Sequence, residues 1–443
     1  MIIRSCLAAL VACLAFGSAQ AAQPRTVYKN ATLIDGTGAA PRPGMSILVD
    51  GERIAKVWKD SEIAFKLAGD VRVVDMSGKY VLPGLTDSHQ HLATPPDRLW
   101  AQAQMKRDLY SGITSTRDMA DDLRNIADLA RASRIHEIPG PDIYYAALMA
   151  GPSFFEDPRV QAASLGAVGG EVPWMRAITP QTDLPMAVAQ AKGTSASAIK
   201  IYANLPGSEV TRITKEAHRQ GVPIWAHAAV FPATPKEVLD AGADVVSHVC
   251  MLAYQVSDEV PSQYHNRAPV DETKFGQGVN PQIAPLFAKM KTDGVVLDAT
   301  VRIYAEMEGR PRAYCSTKLA AELTRQAHKA GVIVSAGTDG FSAPEAAFPA
   351  LYEELELLVE KAGFSPMDAI VAATRNGALA VRKDADFGVI AEGKLANLVF
   401  TAQDPSKDIK ALRTLTLTVK RGREYPRADF DPTAEAAIRK GGE

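Results

Sequence analysis

The chain has 443 residues and a formal charge of −2 at pH 7, which gives no electrostatic reason to expect nucleic acid or an anionic membrane as partner. Apolar residues make up 47% and charged residues 23%, the balance of an ordinary folded protein with room for one large domain and a smaller one. No long low-complexity tract or block of like charge appears, so small molecules are the expected partners, with a homo-oligomer left open.

Arg4 precedes the apolar run "CLAALVACLAFGS", and "AQA" at 19–21 offers small residues for cleavage. That is the layout of a secretory signal peptide over residues 1–21, and it predicts a periplasmic or secreted mature protein. "LVAC", ending at Cys13, resembles a lipoprotein box, but its apolar lead-in is very short. No later segment is long and apolar enough to be a transmembrane helix. Cleavage would leave Cys250 and Cys315, too few for a disulfide scaffold, and a buried thiol is the expected role of Cys250.

Residues 26–83 read as short strands, in "ATLIDG", "MSILVDG", "RIAKVW" and "VRVVDM", with "DGTG", "VDGE" and "MSGK" as turns. The pattern returns over 385–428 in "GVIAEGK", "ANLVFT" and "TLTLTVKRGREY". The two ends predict one small β-sandwich domain. Between them, over 84–384, short apolar strands alternate with amphipathic helices. The strands are "GLTDSHQH", "GITSTRD", "DIYYAALMA", "SAIKIYA", "VPIWAHA", "ADVVSHV", "GVVLDAT" and "VIVSAGTD". Eight such units predict an α/β fold, a (β/α)8 TIM-like barrel. An internal echo supports it: "TKEAHRQGVPIWAHA" and "TRQAHKAGVIVSAGTD" share helix end, glycine stop and strand. His218 and His328 sit at matching places near helix C-termini, where a cation is favoured, and read as surface residues. His136 and His265 fall in predicted loops.

Four histidines remain. His89 and His91 lie two apart behind Asp87 in "GLTDSHQHL", and alternation along a strand would turn all three to one face. His227 and His248 end later strands, as do Lys200 in "SAIKIYA" and Asp339 in "SAGTDG". The C-terminal end of the strands is where barrel active sites are built. Histidine and carboxylate are good ligands for zinc and similar divalent ions, and this set exceeds what one tetrahedral ion needs with a water position open. A protonated Lys200 would oppose a cation site. The carbamate formed when carbon dioxide adds to its neutral amine would be an anion able to bridge two metals.

In this order, "LIDGTG", "YVLPGLTDSHQHL", "GITSTRD", "IKIY", "AHA", "SHV", "AGTDG", "AATRNGALAV" and "GVIAEGKLANLVF" resemble the amidohydrolase superfamily. They are most similar to its imidazolonepropionase-like branch, which includes metal-dependent dipeptidases acting on Xaa-Pro. The resemblance spans nearly everything after the signal segment. It implies two divalent metal ions, with zinc expected: His89, His91 and Asp339 on one, His227 and His248 on the other, bridged by a carboxylated Lys200 and a hydroxide. Asp339 would be the catalytic residue, general base and then general acid.

Arg117, at the end of the second strand, could bind a substrate carboxylate through its planar fork, and a structural salt bridge with Asp118 or another neighbour competes with that reading. Phe154, Phe155, Phe231, Met251 and Tyr254 suggest an apolar mouth, with core packing as the competing reading. "ALMAGPSFF" and "HAAVFP" depart from the polar groups that related dipeptidases place there. The expected function is therefore cleavage of an amide bond in a peptide-like or N-acyl amino acid substrate. The alternatives are the same chemistry on a cyclic amide, lactone or carbamate, a one-metal deaminase, and a non-catalytic binding protein.

Overall fold

The computed structural model describes residues 25–61, 70–276, 278–311, 313–343 and 345–438. The predicted signal segment lies outside these residues. The chain opens with β1 (Arg25–Leu33), β2 (Arg42–Asp50), β3 (Arg53–Lys59), β4 (Val71–Asp75) and β5 (Tyr80–Pro83). It then builds the second sheet from β6 (Leu85–Gln90), β7 (Ile113–Asp118), β8 (Asp142–Ala150), β9 (Glu171–Val172) and β10 (Met175–Ala177). That sheet continues through β11 (Ala198–Ile201), β12 (Ile224–His227), β13 (Val245–Ser247), β14 (Val296–Asp298) and β15 (Ile333–Ser335). The last strands, β16 (Leu398–Thr401), β17 (Leu415–Lys420) and β18 (Arg423–Pro426), return to the first sheet.

That first sheet has eight strands in the order β18-β17-β16-β5-β1-β2-β3, with β4 also on β1. Both chain ends therefore share one mixed sheet. The stretch "GVIAEGK" is not a strand: among the described residues of this segment the ladder reduces to single contacts, such as Ile390 N to Asp35 O and Gly393 N to Ile54 O. Gly388 and Gly393 sit at φ +96° and +83°, in the left-handed region that interrupts extended backbone.

The eight predicted barrel strands are β6, β7, β8 and β11 to β15, running parallel in order. β9 and β10 are a short ribbon against β8 that the sequence pattern did not indicate. β6 and β7 are buried along their whole length, as expected for parallel strands filled from within and covered by helices from without. The helix Thr317–Ala330 shows how the cover forms. Ser316 accepts from Leu319 N, Leu319, Ala320, Leu323 and Ala327 give a buried stripe, and Gly331 at φ +86° ends it. His218 and His328 lie on outer helices as expected, 42% and 33% exposed.

The circle closes where the loop after β15 meets β6. Ser88 N donates to Ala336 O at 2.9 Å, and Asp339 N donates to His89 O at 2.9 Å. Gly337 permits this approach, because a Cβ there would lie 2.2 Å from Asp298 Oδ1 and 2.9 Å from the Cβ of His89.

The small sheet is pinned to the barrel by buried charge. Lys420 is fully buried and donates to Ser133 O, Ser133 Oγ and Gly140 O at 2.9, 2.9 and 2.8 Å. Its Nζ is 3.0 Å from Asp142 Oδ1, while Arg421 holds Asp142 Oδ2 at 2.6 Å. Burial raises the Asp142 carboxyl, but the two cations outweigh it and hold it below its ordinary value. Lys420→Met keeps the stem and strands these acceptors. It should cost about 3–5 kcal/mol, the usual penalty for breaking a buried pair, read as a lower urea midpoint of the full chain.

Candidate active site

Five of the barrel strands, β6, β11, β12, β13 and β15, supply side chains to one mouth at or just after their ends. His89 and His91 leave β6 and the residues just after it, Lys200 lies on β11, and His227 ends β12. His248 and Asp339 follow β13 and β15 with left-handed backbone, φ +71° and +48°. Such conformations cost of order 1–3 kcal/mol in a non-glycine residue and cluster at functional sites. The rings of His91, His89, His248 and His227 form a continuous run, with successive centroids 5.5, 4.8 and 4.7 Å apart.

Asp339 faces three of them. Its Oδ1 is 3.5 Å from Nε2 of both His89 and His91, and its Oδ2 is 3.8 Å from His248 Nδ1. Two histidines are fixed from behind, His89 Nδ1 by Asp298 at 2.6 Å and His91 Nδ1 by Asp121 at 2.8 Å, while His248 Nδ1, the nitrogen nearer Asp339, also meets Thr300 Oγ1 at 3.0 Å. His89 Nε2 and both nitrogens of His227 are buried without a hydrogen-bond partner among the described residues. Burial, reinforced by neighbouring cations, drops His89 and His227 well below the usual histidine range. For His248, burial outweighs the pull of Asp339 and lowers the pKa to about 3. Near neutral pH these rings are uncharged and keep lone pairs. Lys200 is fully buried, donates to Met119 O at 3.3 Å, and lies 4.6 Å from the centre of the Tyr202 ring. Burial lowers its pKa to about 8, toward the neutral amine.

His89, His248 and Asp339 present donor atoms within 4.8 Å of one another. Orphaned buried nitrogens, neutral imidazoles and a nearby carboxylate fit a divalent cation. Asp87 does not join them. It accepts from His89 N, Thr338 N and Thr338 Oγ1 at 3.0, 3.1 and 2.9 Å, and so ties β6 to the turn carrying Asp339.

Two further expectations are corrected. Arg117 is fully buried and does not face a substrate: Nε donates to Ser88 O at 2.6 Å and Nη2 to Asp298 Oδ2 at 2.8 Å, and the guanidinium lies 4.9 Å from the centre of the Trp225 ring. The ion-pair reading holds, with Asp298 and not Asp118 as partner. Cys250 is not a thiol but is disulfide-bonded to Cys315 across 65 residues of sequence. The βα segments after β13 and β14 converge on the same face, which sequence distance hid.

Above the site is a cavity of about 1110 Å³. Of the expected apolar mouth, Phe154 lines it, while Phe231, Met251 and Tyr254 are buried in the core. Phe155 packs in a neighbouring cluster. Tyr202, Tyr264, Tyr314, Arg159 and Arg267, none of them singled out from the sequence, complete the wall. His265 also lines it and pairs with Asp157 at 3.0 Å. The Arg267 guanidinium lies 4.0 and 4.3 Å from the ring centres of Tyr264 and Tyr314, and its Nη1 donates to Tyr264 O at 2.7 Å.

A (β/α)8 barrel whose mouth gathers histidines around one carboxylate is a barrel with a candidate metal site. The model of the amidohydrolase family matches residues 80–424, and the chain belongs to that family. It is 23% identical to the ochratoxinase of Aspergillus niger over 93% of this chain and 89% of that one. It is 25% identical to the imidazolonepropionase of Anaeromyxobacter sp. (strain K) over 81% and 84%. Among solved structures, molinate hydrolase superposes with a TM-score of 0.71 at 21% identity, covering 95% of this chain and 99% of that one. A Xaa-Pro dipeptidase with bound methionine gives 0.69 at 21%, covering 91% and 100%.

Proposed function

We propose that the protein is an exported binuclear metal-dependent amidohydrolase that cleaves an amide bond in a peptide-like or N-acyl amino acid substrate. His89, His91 and Asp339 would hold one ion and His227 and His248 the other, with a carbamate on Lys200 as a further anionic ligand; zinc is the expected metal. The observation that carries this reading is the run of histidines with three buried, unpartnered nitrogens beside a fully buried lysine. Such atoms cost about 1–3 kcal/mol each when left unsatisfied, and six side chains exceed the needs of one tetrahedral ion. A cationic Lys200 has no place beside that set. Its neutral amine can add carbon dioxide, forming an N–C bond and losing a proton to give an anion with two donor oxygens.

When bound, divalent ions supply an acidified water and a polarised scissile carbonyl. The chain's own part is proton transfer and positioning. Asp339, with both oxygens among the histidines and its side chain 23% exposed to the cavity, accepts the attacking water's proton and passes it to the leaving amine. Arg267 lines the cavity with its guanidinium held by Tyr264 and Tyr314, and its charge is placed to attract a substrate carboxylate, the role Arg117 cannot fill. Tyr202 and Phe154 pack on each other with ring centres 4.4 Å apart and together offer one aromatic wall to a flat or apolar substituent. Similarity to imidazolonepropionase and likeness to a Xaa-Pro dipeptidase support attack at a carbon–nitrogen bond. The Cys250–Cys315 disulfide supports an oxidising compartment.

Intact mass of periplasmic or secreted protein should place the N-terminus near Ala22 with no free thiol; a start at Met1 would exclude cleavage, and a lipid on Cys13 would make it a lipoprotein. Elemental analysis should give about two divalent ions per chain. Lys200→Ala should lose both metal and activity, with partial return on adding a short carboxylate. Asp339→Asn, assayed at metal saturation against dipeptides and N-acyl amino acids, should lose ~10²–10⁴-fold in kcat, least for substrates with acidic leaving groups.

A further inference from the structure

We infer that Asp298, braced by Arg117 and Ser247, is the positioning residue that sets the ring of His89 and its tautomer. The Asp298 Oδ2 atom accepts three hydrogen bonds: from His89 Nδ1 at 2.6 Å, Arg117 Nη2 at 2.8 Å and Ser247 Oγ at 2.8 Å. Every side chain in the group is fully buried, so water does not compete for any donor. A carboxylate facing Nδ1 keeps the proton on that nitrogen and leaves the Nε2 lone pair toward Asp339, 3.5 Å away.

The brace also acts on the backbone. Arg117 Nε donates at 2.6 Å to the carbonyl of Ser88, the residue before His89. One guanidinium therefore holds both the strand that carries the histidine and the carboxylate that aims its ring. Ser247 and Asp298 stand opposite each other on β13 and β14, so the third donor is fixed by barrel register. Gly337 closes the other side, since any Cβ there would strike Asp298 Oδ1. His91 is held by Asp121, and His248 Nδ1 meets the Thr300 hydroxyl. Among the described histidines, His89 alone is set by a carboxylate that is itself clamped from two other strands.

This inference rests on the reading that His89 holds a metal, and the test separates the two. In metal-free protein with ¹⁵N-labelled histidine, His89 should show the Nδ1–H tautomer, and Asp298→Ala should mix the tautomers. Competition with a chromophoric chelator should show a 10–100-fold loss of zinc affinity in Asp298→Ala, the usual size for such an outer partner. Asp298→Asn, which can still accept from Nδ1, should recover part of it. The cobalt-substituted protein should change its visible absorption in the same order. If Asp298→Ala does not fold, Ser247→Ala, which removes one donor, should still lower zinc affinity and shift the cobalt spectrum. Two tightly bound ions in the parent protein, with tautomer, affinity and spectrum unchanged in the variants, would overturn the positioning role and leave the hydrolase reading standing. A parent protein that binds no divalent ion would overturn both.

Discussion

The site exists only because the first and last strands of the barrel meet. Asp87 and Thr338 are 251 residues apart in sequence, yet they are joined by two hydrogen bonds, and Asp339 N reaches His89 O across the same seam. This closure brings the paired histidines of β6 against the carboxylate that follows β15. It also explains Gly337: the seam is too tight for a side chain at that position. The left-handed turn at Asp339 follows from the same demand, since the chain must bend sharply to aim its carboxylate back over β6.

Closure sets the electrostatic character of the mouth. Histidines and a lysine enclosed by packed strands lose solvation, so the uncharged forms are favoured. Carboxylates placed behind them, Asp298 and Asp121, meet ring N–H groups without occupying the nitrogens that face the cavity. Donor identity, protonation and direction are thus set by one geometric fact, the convergence of strand ends at a single face.

Much of this was legible in the sequence. The eight strands appear where alternation and glycine stops placed them, because each unit has its own periodicity and its own caps. Four histidines, Lys200 and Asp339 could be picked out because each ends a strand. Asp298 also ends a quoted strand, in "GVVLDAT", and the same signal would have found it. What escaped depends on contacts between distant segments. Arg117 ends its strand like a ligand, but Asp298 on β14 and Trp225 on β12 enclose it. The aromatic wall, including Tyr264 and Arg267, lies in irregular segments with no period to read. The pairing of Cys250 with Cys315 depends on loop convergence, which spacing does not encode.

The disulfide also changes what happens to that wall when the chain is cut. Tyr264 and Arg267 lie between Cys250 and Cys315, so the cavity-lining segment belongs to a covalent ring. In a chain-entropy treatment, a ring of 65 residues favours the folded state by about 4 kcal/mol. Long surface segments are preferred sites of proteolytic nicking. A single cut between the two cysteines leaves both fragments on one molecule, with His248 still tethered through Cys250 to the piece that carries Asp339. The nicked molecule gains only the mass of one water, and its two halves cannot diffuse apart while the disulfide is intact.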